Sequence, residues 1–312
     1  MQQYPKFMRD FLIYLTTIKG KSKRTRQEYE YDIALFLRFF TAMQHDLSIE
    51  HINDIDIRTF STETLGDITL EDLYLFLEYC EEVRGNSAAS RARKVATLRS
   101  FFKYLRGKRK LIEENPTDEL ESPKQVRRRP VYLKIDEAQT LLTATKNGSH
   151  AERNYCIITF FLHLGLRVSE LCHLNVSSLD GDKLRIIGKG NKERVVFCND
   201  VCLQALAAYN AVKVPYKGEG EEPMFTSQKG TRLTRQRLAK MMKTTTGYAE
   251  LEKGVTPHKL RHTSATLMYQ AGADIRSLQH ILGHSSVATT QIYTHVEDDA
   301  IRDVLSKNPL NK

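Results

Sequence analysis

The sequence predicts a mainly α-helical chain in two domains, the second carrying a small antiparallel β-sheet. Three observations point there. Apolar residues recur at helical spacing through most of the 312 residues. The period changes once, at the short β-rich runs 184–187 and 194–197. A proline-bounded basic stretch, 122–130, interrupts the helical pattern between the two halves. A chain this long exceeds one small core, so two domains are the natural division.

Residues 4–19 carry Phe7, Phe11, Leu12, Leu15 and Ile18 at the spacing of an amphipathic helix, which Gly20 ends. Ser22 is placed to cap a second helix, 23 to about 43, with Tyr29, Ile33, Phe36, Leu37 and Phe40 on one face. A third helix follows Thr69 and turns Leu70, Leu73, Phe76, Leu77 and Cys80 inward. A fourth follows Ser87, with Val95, Leu98, Phe101, Phe102 and Leu105 inward. These elements make residues 1–114 an all-helical domain. Residues 115–130 read as a linker, because proline at both ends of its basic part disfavours helix. Residues 131–312 form the second domain. Its helices are expected at 136–146, from 151 onward, and at about 200–213, 234–246, 257–271, 274–282, 286–293 and 297–306. The runs 184–187 and 194–197 pair as a hairpin whose tip, 188–192, is basic.

Composition is that of a soluble globular protein, 41% hydrophobic and 27% charged. The formal net charge of +9 favours polyanionic partners, nucleic acid first. The cations cluster. Lys21, Lys23, Arg24 and Arg26 open the second helix, Arg91, Arg93, Lys94 and Arg99 run along the fourth, and Arg127, Arg128 and Arg129 lie in the linker. Such clusters suit a surface that tracks phosphates, since each neutralised phosphate releases counterions. The N-terminus lacks a signal-peptide pattern, and no apolar run approaches the ~20 residues of a membrane span. The expected location is the cytoplasm. Five cysteines, Cys80, Cys156, Cys172, Cys198 and Cys202, without a C-x-x-C pair read as reduced core thiols.

The last sixty residues hold more chemistry than a helical core needs. Residues 256–262 read Thr-Pro-His-Lys-Leu-Arg-His, 282–286 read Leu-Gly-His-Ser-Ser, and Tyr293 lies between Gln291 and His295. His258 and Arg261 are three apart, on one helical face. Taken singly, each residue has an ordinary role. Tyr293 could be a half-buried aromatic, His284 a helix cap, Lys189 a turn lysine and Arg167 a surface ion pair. Taken together they suit a phosphate surrounded by cations and attacked by Tyr293. His258 and His262 have the spacing of a zinc-binding helix, but Lys259 stands where the general-base Glu would be. His280 with His284, and Cys172 with His173, are equally poor zinc signals, and no metal is expected.

The motifs Gly-Leu-Arg-Val-Ser-Glu-Leu at 165–171, Gly-Lys-Gly-Asn-Lys-Glu-Arg at 188–194, His-Lys-Leu-Arg-His at 258–262, Leu-Gly-His-Ser-Ser at 282–286 and Thr-Gln-Ile-Tyr-Thr-His at 290–295 resemble the tyrosine recombinase (phage integrase) family. They are most similar to its Xer-type members. The ordered motifs cover about 127–306, and the first domain resembles the family's SAM-like core-binding domain more loosely. The resemblance implies a site-specific DNA recombinase with the active site Arg167, Lys189, His258, Arg261, His284 and the nucleophile Tyr293. It implies a 3′-phosphotyrosyl intermediate and no metal or nucleotide cofactor. Glu170 is read as orienting Arg167 or capping locally, and His262 and His295 as supporting or packing residues. The implied assembly is a homo- or hetero-tetramer on double-stranded DNA with inverted half-sites. The segment 298–305 would dock on a neighbouring protomer, and an accessory DNA translocase belongs with a dimer-resolution role.

Two positions depart from the family pattern: His163-Leu164 before Gly165, and Thr-Ser-Ala-Thr-Leu-Met at 263–268. Neither touches the six active-site positions. An integrase or transposase of a mobile element would share this build and chemistry. A type IB topoisomerase shares much of the chemistry, and a DNA-binding protein with a silent site would use the same basic domain.

Overall fold

The computed structural model describes residues 4–124, 131–188 and 192–283. Lys189, His284, Tyr293, Arg127, Arg128 and Arg129 therefore lie outside the described residues, as do the helices expected at 286–293 and 297–306. The chain divides into two compact units, Met1–Arg127 and Arg128–Lys312.

The first unit is built from α1 (Lys6–Thr17), α2 (Lys23–Gln44), α3 (Leu70–Glu82) and α4 (Ala88–Tyr104). Local chemistry sets the starts of three of them. The Ser22 hydroxyl accepts from the Thr25 N–H, Thr69 and Asp72 form a reciprocal capping box, and Ser87 accepts from Ser90. Phe11, Phe36, Phe76, Phe101 and Phe102 are fully buried and interlock in one core. Ile18 departs from expectation: it is 69% exposed. It falls just past the end of α1, so Leu15 takes the last inward position. Leu120 is fully buried in this same core. The packing of the first unit thus continues past residue 114, and the first part of the expected linker belongs to it.

Lys94 corrects the reading of α4 as a row of phosphate contacts. Its side chain is 2% exposed, and its ammonium lies 2.8 Å from Asp32 Oδ1. Thr97 donates to the other Asp32 oxygen at 3.1 Å, and Arg93 forks onto the same carboxylate. A cation carried into the core needs such a partner, because leaving it unpaired costs several kcal/mol. Lys94 holds α4 to α2 and does not face solvent. Arg91 pairs with Glu81, and Arg99 donates to the Leu120 carbonyl.

The second unit comprises α5 (Ile135–Ala144), α6 (Ala151–Leu164), α7 (Val168–His173), β1 (Leu179–Asp180), β2 (Lys183–Ile187), β3 (Glu193–Phe197), α8 (Asp200–Val212), α9 (Arg235–Tyr248), α10 (Pro257–Gln270) and α11 (Ile275–Leu282). The sheet is antiparallel in the order β1-β2-β3, with Leu184 opposite Val196 and Ile186 opposite Arg194. Leu184, Ile186 and Val196 face the core, while Lys183 and Arg185 face out. The sequence reading found the hairpin and missed β1, which at two residues is too short to show alternation. α6 is the central helix, packed against both α8 and α10. No helix among the described residues is long and apolar enough to cross a membrane.

Candidate active site

The site is assembled where α6 ends. Gly165 closes that helix in the left-handed region, at φ +58°, and its N–H bonds back to the Phe161 carbonyl. A Cβ there would stand 2.7 Å from Leu282 Cδ2, and Leu282 is fully buried. Only glycine meets both demands. We expect Gly165→Ala to lower unfolding stability by roughly 2 kcal/mol through backbone strain and overpacking. An unchanged urea midpoint would show that α11 yields freely at this contact.

Two residues on, Arg167 is the N-cap of α7 and Glu170 its third helical residue. Glu170 Oε2 accepts from the Arg167 backbone N–H at 2.8 Å, and Oε1 accepts from Arg167 Nη1 at 2.7 Å. A second guanidinium reaches the same carboxylate from β3. Arg194 Nη1 and Nη2 donate to Oε1 and Oε2 at 2.8 and 2.9 Å, a bidentate fork. A third comes from α10, with Arg261 Nη1 3.8 Å from Oε2. Glu170 is thus the point where α7, β3 and α10 meet.

The arginines are also tied to the end of α11. Arg261 donates to the carbonyls of Gly165 and Leu282, Arg194 Nε to Ile281 at 2.9 Å, and Arg167 Nη2 to Gly283 at 3.1 Å. Gly283 ends α11 at φ +61°, where a Cβ would press on Arg194 at 3.0 Å. Three consecutive carbonyls at this terminus therefore accept from three arginines, which also places positive charge at the negative end of a helix.

Burial pushes the Glu170 carboxyl upward, but the hydrogen bonds from Arg194 and the Arg167 backbone outweigh it and bring the pKa down to about 2. Glu170 is a fixed anion at any ordinary pH, and the arginines around it outnumber it. The cluster keeps a surplus of positive charge. Arg167 is its outward member, with a side chain 35% exposed against 9% for Arg194 and 4% for Arg261.

His258 is exposed in the first turn of α10, behind Pro257 and the Thr256 cap, whose hydroxyl accepts from the Lys259 N–H. His262, one turn on, is buried, with its ring edge-on to Tyr132. Burial, helped by nearby His258, brings its pKa down to about 4, so it is neutral at physiological pH. That suits the packing role expected of it. Of the six expected positions, the described residues bring Arg167 and Arg261 onto one carboxylate and place His258 at the head of the helix that carries Arg261. Glu170 does what the sequence reading gave it, orienting Arg167 and capping α7.

Arg194 was missed. The signal was present: it alternates with Val196 on the inward face of a strand, where a charge needs a buried partner. A basic helix was missed as well. Arg235, Arg237, Lys240 and Lys243 on α9 are all exposed, and the helix contains no Asp or Glu.

Comparison with known proteins gives this arrangement its relatives. The phage integrase family model matches residues 132–300, and the model for the phage integrase N-terminal SAM-like domain matches 8–66 and 61–109. Tyrosine recombinase XerC of Caldanaerobacter subterraneus subsp. tengcongensis is 43% identical, over 99% of this chain and 88% of its own. Tyrosine recombinase XerD of Oceanobacillus iheyensis is 34% identical over 95% of each. The crystal structure of the XerH site-specific recombinase bound to palindromic difH substrate shares the fold. It superposes with a TM-score of 0.70 at 22% identity, over 96% of this chain and 84% of that one. The chain belongs to the phage integrase family and is a tyrosine recombinase of the Xer type.

Proposed function

We propose that the protein cleaves and rejoins DNA strands at a short core site, through a 3′-phosphotyrosyl link to Tyr293. The observation that carries this reading is the set of guanidinium groups fixed on Glu170 and on the end of α11, one residue before His284. A phosphodiester in transit to a pentavalent transition state gathers negative charge on its non-bridging oxygens. Preorganised arginine forks stabilise that charge without reorganising at the moment of reaction. Arg167 and Arg261 take this role, and His284 adds a hydrogen bond to the same phosphate.

The free phenol has a pKa of ~10, so Tyr293 has to lose its proton as it attacks. His258 accepts or relays that proton. The new bond joins the Tyr293 oxygen to phosphorus, and the bond from phosphorus to the 5′-oxygen breaks. Lys189 at the hairpin tip supplies the proton that the 5′-oxygen takes up. The phosphotyrosyl bond conserves the energy of the broken one, so a 5′-hydroxyl from a second strand can reverse the attack and complete the exchange.

Residues 1–114 grip the duplex through Lys21, Lys23, Arg24 and Arg26, with Arg91, Arg93 and Arg99 beside them. The basic stretch 122–130 adds Arg127, Arg128 and Arg129. Residues 131–312 carry the chemistry, and the exposed cations of α9 extend the DNA surface. Four protomers, of one kind or two, act on double-stranded DNA with inverted half-sites, with 298–305 docked on a neighbour. The work is dimer resolution in the cytoplasm, with a DNA translocase as accessory.

The test is a nicked suicide duplex carrying the core sequence, which releases the cleaved end and prevents religation. A detergent-resistant protein–DNA adduct is expected. Relaxation of any supercoiled plasmid, with no preferred core, would instead make the protein a topoisomerase.

A further inference from the structure

The β2–β3 hairpin is held to its unit from one face. Ile187, Val195 and Phe197 point outward and are exposed, while Leu184, Ile186, Val196 and Arg194 point inward. The three apolar side chains pack without direction. Arg194 is the one of the four that makes directed bonds, and on β3 it is the inward residue nearest the tip, opposite Ile186. Its side chain is 9% exposed. It forks onto Glu170, and its Nε donates to the Ile281 carbonyl at 2.9 Å.

The pairing continues past the strand ends. Beyond the Ile187–Glu193 pair, the Gly188 N–H donates to the Lys192 carbonyl at 2.8 Å. Gly188 itself lies against the ion pair: a Cβ built there would stand 3.5 Å from Glu170 Oε1 and 3.7 Å from Arg194 Nη1. The next residue in the chain is Lys189. The backbone that leads into Lys189 thus departs from the carboxylate that holds Arg167 and has Arg261 beside it. Arg194 makes this junction, joining β3 to α7 through Glu170 and to the end of α11 through Ile281.

We propose that Arg194 is a positioning residue for Lys189: it fixes the base of the hairpin on Glu170, so that the Lys189 ammonium and the Arg167 guanidinium meet one phosphate. This role rests on the reading of Lys189 as the acid for the 5′-oxygen. A proton donor acts only within hydrogen-bond reach of the atom it protonates. The arginines have to be set against the same phosphorus, and a misplacement of ~1 Å costs ~10²-fold in rate. An ammonium in place of Arg194 is a point charge. It lacks the planar fork that meets both carboxylate oxygens while a further N–H takes the Ile281 carbonyl. In this scheme Arg194 acts through Lys189 and does not itself touch the phosphate.

The test compares adduct formation by the full chain on two suicide duplexes, the second with sulfur in place of the scissile 5′-bridging oxygen. A thiol has a pKa of ~8.5, so the thiolate departs without a donated proton. Lys189→Ala is expected to react at least ~10²-fold more slowly than wild type on the oxygen duplex and near the wild-type rate on the sulfur duplex. Arg194→Gln and Arg194→Lys should each fall ~10²-fold on oxygen, and sulfur should return at least ~10-fold of that loss. The Lys variant keeps a cation beside Glu170 and is expected to fold even if the Gln variant does not, and thermal melts verify both. On oxygen, Lys189→Ala combined with Arg194→Lys should be no slower than Lys189→Ala alone, because the two residues serve one step. An Arg194→Lys rate that is unchanged, or reduced equally on both duplexes, or additive with Lys189→Ala, overturns the role. A Lys189→Ala defect that sulfur does not relieve removes Lys189 as the acid, and this role of Arg194 with it. Neither failure touches the assignment of the nucleophile, which the adduct itself reports.

Discussion

Replacing Tyr293 by Phe is expected to abolish adduct formation on the suicide duplex while leaving DNA affinity within about twofold. The two effects separate because they come from different atoms. On the proposed reading, affinity comes from phosphate contacts made by basic side chains, none of which needs a phenolic oxygen. In the proposed mechanism strand cleavage needs that one oxygen as the nucleophile, and a Phe ring keeps the shape of the side chain without it. Loss of a nucleophile of this kind removes at least ~10⁴-fold of rate. Gel shifts with detergent-resistant trapping on the same duplex give both numbers. Trapping that survives in the Phe variant would assign the nucleophile to another residue.

Glu170→Gln is the second large effect, and it tests the arginine cluster directly. Gln keeps the volume of Glu and can still accept one hydrogen bond, but it removes the charge. Arg194, largely buried, then loses the carboxylate it forks onto, and Arg261 loses a charge 3.8 Å away. Breaking a buried pair this way typically costs ~3–5 kcal/mol. For a unit of this size that is a drop of roughly 10 °C in melting temperature. Adduct formation should slow as well, because Glu170 positions Arg167, while binding to a single site should hold.

A pH series distinguishes this electrostatic role from simple packing. The folded Glu170 pKa, about 2, lies below its ordinary value of 4.5. The unfolded chain therefore binds the extra proton first as pH falls. The stabilisation is complete above about pH 4.5 and is lost progressively down to about pH 2, on the order of 3 kcal/mol in all. Wild type should lose this increment on acidification, and Glu170→Gln should not, so their stabilities converge at low pH. Parallel urea-derived stabilities from pH 6 to pH 2 would remove Glu170 as the anion of the cluster.

Most helices were legible because their signals are local. A hydroxyl or amide side chain bonds an N–H two or three residues on, as Ser22, Thr69, Ser87, Asn199, Thr234 and Thr256 do. No distant part of the chain is needed for that. The inward faces of α2, α3 and α4 followed from helical spacing for the same reason. The errors fall where distance along the chain matters. Lys94 reads as one more cation on a basic helix until α2 brings Asp32 against it. Leu120 reads as linker until it is seen filling the first core. β1 exists only as a partner for β2.

The site divides along the same line. Side-chain chemistry and order were present in the linear chain: Arg167 behind a turn glycine, Arg261 one turn after His258, and a Tyr and His that suit phosphate. No pattern in the chain says that Arg167, Arg194 and Arg261 share one carboxylate, because each arrives on a different element. Propensity, capping and periodicity act over a few residues and are written into the sequence directly. Coulomb attraction and close packing act between whatever surfaces the folded chain brings within a few ångströms. Glu170 could therefore be read as the cap and guide of Arg167 from the sequence, but only the packing of α7 against β3 and α10 made it the anion of three arginines.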